Sequence, residues 1–283
     1  MQTAVITGAN TGIGFATAQR LAAEGRTVVM ACRNLEKGAA AQQELRRANP
    51  DAEVDLLSLD LSSLAHIRKF ADELAERHPT VDVLVNNAGA AVARQSFTED
   101  GFELQFGANY LGPFLLTHLL LPQLQVAAAE SGDARIVHVS SIAHNMGRIA
   151  PGTFRGRGVY NTMAAYAQSK LGNLMFSNAL ARRLPTGLTT HTMHPGGVGS
   201  DFYRQFPGPL RRALLAILIP PERPAELIDE LAFGDAYRTT SGDYVSVGRF
   251  APVNPLSKSR DRQEQLYLTS CELAGVEPLE VLR

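Results

Sequence analysis

A tyrosine and a lysine stand four residues apart in YAQSK, Tyr166 to Lys170. On a helix that spacing puts both side chains on one face, with hydroxyl and ammonium as neighbours. An isolated phenol titrates near a pKa of about 10, too high for efficient proton exchange near neutrality. A cation alongside favours the phenolate and brings it closer to working range. The alternative is an ordinary helix surface carrying a half-buried aromatic, since this pairing arises in many proteins. Tyr160 is a contrast from the same stretch: Ala164 stands four residues on, so nothing there lowers its pKa.

A second group of residues opens the chain. TGANTGIG, Thr7 to Gly14, follows a short apolar run and leads into a helical stretch. Gly8, Gly12 and Gly14 follow the spacing GxxxGxG, with Asn10, Thr11 and Ile13 completing the turn. Small residues there let the backbone turn sharply and approach a pyrophosphate lying against the helix N-terminus. A glycine-rich turn without a ligand is the alternative. The second strand ends MACRN, Met30 to Asn34, with no carboxylate before Glu36. Asp or Glu at that place bonds the ribose 2′-hydroxyl of NAD, whereas Arg accommodates a 2′-phosphate. Arg33 carries a planar guanidinium suited to phosphate oxygens, so NADP(H) is expected over NAD(H), unless Arg33 is merely solvated.

Two further strand ends are polar where an adenosine would lie. In LDLSS, Asp60 could accept from an adenine amino group with Leu61 beside it, while Ser62 or Ser63 could instead cap the next helix. In VNNAG, Val85 to Gly89, paired asparagines leave an apolar strand and bring amide groups that need partners. One can tie neighbouring strands together; Asn87, with small Ala88 and Gly89, can let a ribose come close.

These residues need elements to hold them. Short β-branched runs at Thr3–Thr7, Thr27–Ala31, Val54–Leu59, Val81–Val85 and Arg135–Val139 alternate with helical stretches at 16–25, 35–48 and 63–78. Strands apolar on both faces and separated by amphipathic helices imply βαβ units and a parallel sheet. Right-handed crossovers then give an α/β fold, a doubly wound, mostly parallel sheet with helices on both faces. No linker or repeat divides residues 1–283, so a single dinucleotide-binding catalytic domain is expected, with 144–162 and 199–224 as substrate-side loops or lid. The chain is 45% apolar and 19% charged, in the range of a globular enzyme. Its net charge of -1 gives no reason to expect nucleic acid or an anionic membrane as partner. Cys32 and Cys271 cannot form a disulfide framework and fit a reducing compartment. No signal peptide is expected, because no basic stretch or long apolar run precedes AVIT. FLLTHLLLPQL (114–124) and ALLAILIPP (213–221) are too short and too interrupted by Pro to be read as membrane spans. A soluble, cytoplasmic chain is expected.

TGANTGIG, LDLSS, NNAG, the Asn of GANYLGPF, VSS, YAQSK and HPGGV occur in the order seen in short-chain dehydrogenases/reductases, and the resemblance spans roughly residues 2 to 200. ACRN, FTEDGFELQFGANYLGPFLLTHLLLPQL and SKLGNLMFSNALARRL resemble most the branch containing retinol dehydrogenases, WW-domain oxidoreductases and protochlorophyllide reductases. The resemblance implies a single-domain Rossmann fold. It makes Tyr166 the general acid of carbonyl reduction or base of alcohol oxidation. Lys170 lowers its pKa and holds the nicotinamide ribose hydroxyls. Ser141 donates to the substrate oxygen as charge develops there, with Ser140 facing the core. Asn109 supports Lys170 through a water in a proton relay. As alternatives, Ser141 caps a turn and Asn109 bridges a helix kink before Gly112–Pro113. After the sixth strand, Pro195 and Gly196 approach the nicotinamide and backbone near Val198 meets its carboxamide. Gly197 and Gly199–Ser200 depart from the family pattern, so Ser200 is given no role.

The segment 202–224 is apolar with Arg204, Arg211 and Arg212, suiting a hydrophobic small-molecule substrate with an anionic or polar end, or packing on its own body. Arg148, Arg155 and Arg157 serve recognition or solubility. With no N-terminal membrane segment, a retinoid substrate is less expected. His144, His191 and His194 share no ligand spacing, so no metal is expected. The favoured function is NADP(H)-dependent hydride transfer to or from a carbonyl or alcohol. The alternatives are redox-neutral chemistry (dehydration, cyclisation, epimerisation) by the same Tyr–Lys pair, or a non-catalytic NADP-binding sensor. A homodimer is expected through the helices after Asn109 and around Tyr166, with Leu115, Leu119 and Leu120 facing either the partner or their own sheet.

Overall fold

The computed structural model describes residues 1–197, 219–247 and 252–282. Among these, β1 (Thr3–Thr7), β2 (Thr27–Cys32), β3 (Val54–Ser58), β4 (Val83–Asn86), β5 (Ala134–Val139), β6 (Leu188–His194) and β7 (Tyr244–Ser246) form one sheet. The order is β3-β2-β1-β4-β5-β6-β7, with every pairing parallel. Strand order reverses between β1 and β4, and the crevice beyond the carboxyl ends of such strands is where α/β sheets bind ligands. Thr7 and Asn86 close those two strands, so the Gly8–Gly14 turn and Asn87–Gly89 lie side by side there.

The continuous apolar strands are explained by helices on both faces. Alternate strand residues enter two cores. Ala4, Ile6, Val28, Met30, Val83, Val85 and Val137 pack under α1 (Gly12–Ala23), α2 (Leu35–Ala48) and a later helix, Glu222–Phe233. Val5, Val29, Leu57, Leu84 and Ile136 pack under α3 (Leu64–Arg77), α4 (Leu104–Phe106), α5 (Gly112–Ser131) and α6 (Thr162–Ala181). In chain order Glu222–Phe233 is α7, and Arg260–Ala274 is α8.

One expectation changes here, and one open alternative is decided. Pro122 does not cut the apolar run short: it lies inside α5, and the continuous helix Leu104–Ser131 is 28 residues, long and apolar enough by composition to cross a bilayer. Its most apolar stretch is 78% buried in the chain's own core, which marks a core helix. Leu115 and Leu120 are also wholly buried, with Leu119 packed against the same core, so these leucines face their own chain. Over α5 and α6 lies α8. Tyr110 and Ser270 share a hydrogen bond of 2.7 Å, His118 Nε2 and the Tyr267 hydroxyl one of 3.0 Å, and the Arg183 guanidinium stacks 4.0 Å from the Tyr267 ring.

Candidate active site

The glycine turn has the shape its spacing implies. Gly8 (φ +67) and Gly12 (φ +56) take left-handed conformations that other residues rarely adopt. At Gly14 the reason is space: a Cβ would lie 2.4 Å from the Gly8 carbonyl oxygen and 2.5 Å from Asn87 Nδ2. The helix that follows is left open. Thr11, at its N-cap, makes no side-chain capping bond and no acidic residue stands in the first turn. By contrast α2, α3, α6 and α8 are capped by Asn34, Ser63, Asn161 and Ser259. Unclaimed N–H groups with the positive end of the helix dipole fit a diphosphate. Asn10 and Ile13 are half-buried, and Thr11 and Gly12 exposed, along this turn. The Cys32 thiol lies beneath it, bonded by the backbone of Ala9 and Asn10 and pushed up to about 11 by burial.

Arg33 stands exposed at the end of β2, with no ion pair to a described residue, as a group awaiting an anion would. Asp60 is less free than its position implied. Its Oδ1 accepts from the Ser62 N–H (2.9 Å) and hydroxyl (2.7 Å), so Ser62 closes a turn while Ser63 caps α3. Leu61 packs in the core, leaving mainly its backbone to meet a ligand. Both asparagines of VNNAG tie elements together. Asn86 Nδ2 donates to the Thr117 hydroxyl, and Asn87 Nδ2 donates to the Thr7 carbonyl across the β1–β4 crevice. Ala88 is half-buried and Gly89 exposed at its edge; a Cβ on Gly89 would lie 3.3 Å from Lys170 Nζ and 3.7 Å from Asn109 Oδ1.

Tyr166 and Lys170 share one face of α6, as their spacing requires. Lys170 Nζ is 5.7 Å from the centre of the half-buried Tyr166 ring. Lys170 is 4% exposed; its ammonium donates to the Val139 carbonyl at 2.9 Å, and burial lowers its pKa to about 8. Ser140 does face the core, where its hydroxyl donates to the Lys170 carbonyl at 2.8 Å. Tyr160 goes the other way: burial raises it to about 12, and it bonds Gln105 and Glu103 away from any lysine. Asn109 lies in a π-helical turn, Gly107–Leu111, of a kind often found at functional sites. Its amide grips the Ala90 peptide at both ends, Nδ2 to the carbonyl and Oδ1 from the N–H, each at 2.7 Å, with Ser169 at 3.3 Å. The described partners of Asn109 are thus Ala90 and Ser169, with Lys170 across the Gly89 backbone.

Ser141 is extended (φ -157, ψ 153) at the start of a 3₁₀ turn, Ile142–Met146, where its hydroxyl accepts from the Ala143 N–H at 3.2 Å. It caps a turn and still carries a hydroxyl proton to give. Sequence reading missed its support. His194 Nδ1 accepts from the Ile142 N–H at 3.2 Å, and His144 Nδ1 donates to the Ser141 carbonyl at 2.7 Å. Burial lowers both histidines, His194 to about 4. Pro195 and Gly196 follow His194; Gly196 has φ +77, and a Cβ there would meet Ile219 at 2.5 Å. Val198, Ser200, Arg204, Arg211 and Arg212 lie outside the described residues. Arg155 stacks 4.3 Å from the Phe102 ring and donates to the Asp100 carbonyl, which gives it a packing role. Ile142, Met146, Val159 and Met163, from the segments flanking Ser141 and Tyr166, are exposed apolar side chains. Among the described residues no group of His, Cys, Asp and Glu could hold a metal ion.

A parallel sheet switching at β1/β4, an open glycine turn and a Tyr–Lys face define a nucleotide-dependent oxidoreductase scaffold. The short chain dehydrogenase family model matches residues 2–207, and the chain belongs to that family of oxidoreductases. It is 39% identical to human retinol dehydrogenase 11 over 275 residues, 96% of this chain and 85% of that protein. An uncharacterized protein from Mycobacterium paratuberculosis has a similar crystal structure, with TM-score 0.76 and 33% identity over 99% of this chain and 96% of that one. The RhlG/NADP complex of Pseudomonas aeruginosa gives TM-score 0.71 and 28% identity over 87% and 94%.

Proposed function

We propose that the chain is an NADP(H)-dependent oxidoreductase that interconverts a carbonyl and an alcohol on a hydrophobic small molecule. The observation that carries this reading is the buried Lys170 ammonium beside Tyr166, at the mouth of the crevice under Gly89. NADP(H), when bound, supplies or accepts the hydride. The residues that would hold it are the Gly8–Gly14 turn, Arg33 on the 2′-phosphate, and Asn87, Ala88 and Gly89 along the ribose. In reduction, Tyr166 gives its hydroxyl proton to the developing alkoxide, and Lys170 stabilises the phenolate left behind. Ser141 donates a hydrogen bond to the same oxygen. In oxidation the phenolate takes the alcohol proton.

The likeness to a complex with NADP and the exposed Arg33, which has no ion pair among the described residues, support the choice of NADP(H). Exposed Ile142, Met146, Val159 and Met163, and the likeness to a retinol dehydrogenase, support an apolar substrate. Two buried free thiols, Cys32 and Cys271, support a reducing, cytoplasmic setting. The test follows NADPH absorbance with a panel of ketones, aldehydes and quinones, for the wild type and Tyr166→Phe. Stoichiometric NADPH loss and alcohol formation, both abolished in Tyr166→Phe, are expected. Product without NADPH consumption would replace the reading with redox-neutral chemistry; tight NADPH binding without product would leave a sensor.

A further inference from the structure

Asn254 lies between the last strand and α8, more than a hundred residues from Ser141, in no motif that marks the site. It is 3% exposed and every polar group of its side chain is used. Nδ2 donates to the carbonyls of His144 at 2.8 Å and Gly147 at 3.0 Å, with that of Asn145 at 3.3 Å. Oδ1 accepts from the Leu256 N–H at 2.9 Å, which locks the amide in this orientation. The carbonyls it gathers belong to the turn that begins at Ser141. They also reach α6: a Cβ on Gly147 would lie 2.4 Å from the Ala167 carbonyl oxygen, so the turn rests against the residue after Tyr166. Asn145 Nδ2 adds a bond back to the Pro252 carbonyl at 2.8 Å.

One amide thus fastens a turn that starts at the substrate-facing serine and ends against the helix of the tyrosine. A buried Asn with all its bonds made is rigid, and replacing its donors leaves carbonyls unpaired. We infer that Asn254 is a positioning residue for the reaction, fixing the Ser141 hydroxyl relative to Tyr166 from the C-terminal segment. This rests on the roles proposed above for Ser141 and Tyr166. It differs from a purely structural role in what it leaves alone: the described hydrogen bonds of Asn254 go to the Ser141 turn and its own segment and none to the glycine turn, Arg33 or Gly89, so cofactor binding is independent of it.

The test compares wild type, Asn254→Ala, the isosteric Asn254→Asp and Tyr166→Phe, all as full chains. Asp keeps the acceptor for Leu256 and removes the donors, so it reports on the donors even if Ala folds poorly. Four quantities are read: kcat on the panel carbonyl turned over fastest, NADPH affinity by fluorescence, melting temperature, and hydrogen exchange of the peptide covering 141–147. Expected for Asn254→Asp are faster exchange in that peptide, kcat down by about tenfold to a hundredfold, as for a misplaced catalytic group, and NADPH affinity unchanged within error. Wild-type kcat and exchange in both Asn254 variants, with Tyr166→Phe inactive, would overturn the inference and leave the proposed function standing. Parallel losses of kcat, NADPH affinity and melting temperature would reduce Asn254 to a general structural role and also overturn it. An active Tyr166→Phe would remove the reading on which both rest.

Discussion

The Lys170 ammonium donates to the carbonyl of Val139 at 2.9 Å, and the residue that follows β5, Ser140, returns a bond from its hydroxyl to the Lys170 carbonyl. The lysine is held at both ends by the strand end that leads into Ser141, so its distance to Tyr166 does not depend on a flexible stem. Burial holds its pKa near about 8. The ammonium is therefore present below that pH and lost above it, and with it the stabilisation of the Tyr166 phenolate. The expected outcome is a fall in kcat/KM for NADPH, which reports groups of the free enzyme, as pH rises through about 8. Lys170→Met should lower kcat by about a hundredfold or more. A flat profile to pH 10 would detach the proton chemistry from Lys170.

Arg33→Ala should separate the two nicotinamide cofactors. A hydrogen bond to a charged group contributes about 1.5–3 kcal/mol, so NADPH affinity should fall by about tenfold to a hundredfold while NADH affinity hardly changes. Fluorescence titration with each cofactor measures the ratio. Equal losses for both would assign Arg33 to something other than a 2′-phosphate.

Gly14→Ala should fail for lack of space, because its Cβ would sit 2.4 Å from a backbone oxygen of Gly8. Forced repacking of this kind costs about 1–3 kcal/mol. Thermal unfolding should show a lower midpoint, and NADPH should no longer raise it. Gly152→Ala has open space around it and serves as the control.

Acid should destabilise this chain through its histidines. Burial lowers His118 to about 4, His138 to about 3, with His191 and Lys170 adding repulsion, and His194 to about 4. Their unfolded values lie near about 6.5, so below that pH the unfolded chain binds the extra protons and stability falls as pH falls. Each histidine removes about 1.4 kcal/mol per pH unit until its folded value is reached. Melting temperature should therefore drop steeply from pH 6.5 toward 4, and His118→Gln should soften the slope.

How much of this was legible in the sequence depended on whether a signal was local. The strands are apolar on both faces and bounded by turns, and α2 runs from Leu35 to Ala48 as its pattern implied. The Tyr166–Lys170 face and the Gly8–Gly14 turn follow from spacing alone. Pro122 misled because keeping a proline inside a helix costs about 3 kcal/mol, less than the burial of the leucines on either side contributes. Asp60 misled because its nearest donors, two residues on, claim its oxygen first. His194 and Asn254 could not be read at all. Their partners Ile142, His144 and Gly147 lie 52, 110 and 107 residues away, and a hydrogen bond across that distance leaves no periodicity.

The position of α8 has a consequence for the order in which the molecule is made. Tyr267 and Ser270 roof α5 and α6 with wholly buried side chains, and Asn254 fastens the Ser141 turn. During synthesis, at about 5–20 residues per second, every motif residue through Lys170 leaves the ribosome before these pieces exist. The nascent chain can build its sheet and expose a nearly complete crevice, yet Phe114 and Phe176 stay uncovered until α8 arrives. Competence would then come late and at once, when the segment from Asn254 through α8 docks, and a chain stalled or cut before residue 254 would carry all the motifs without the frame that holds them.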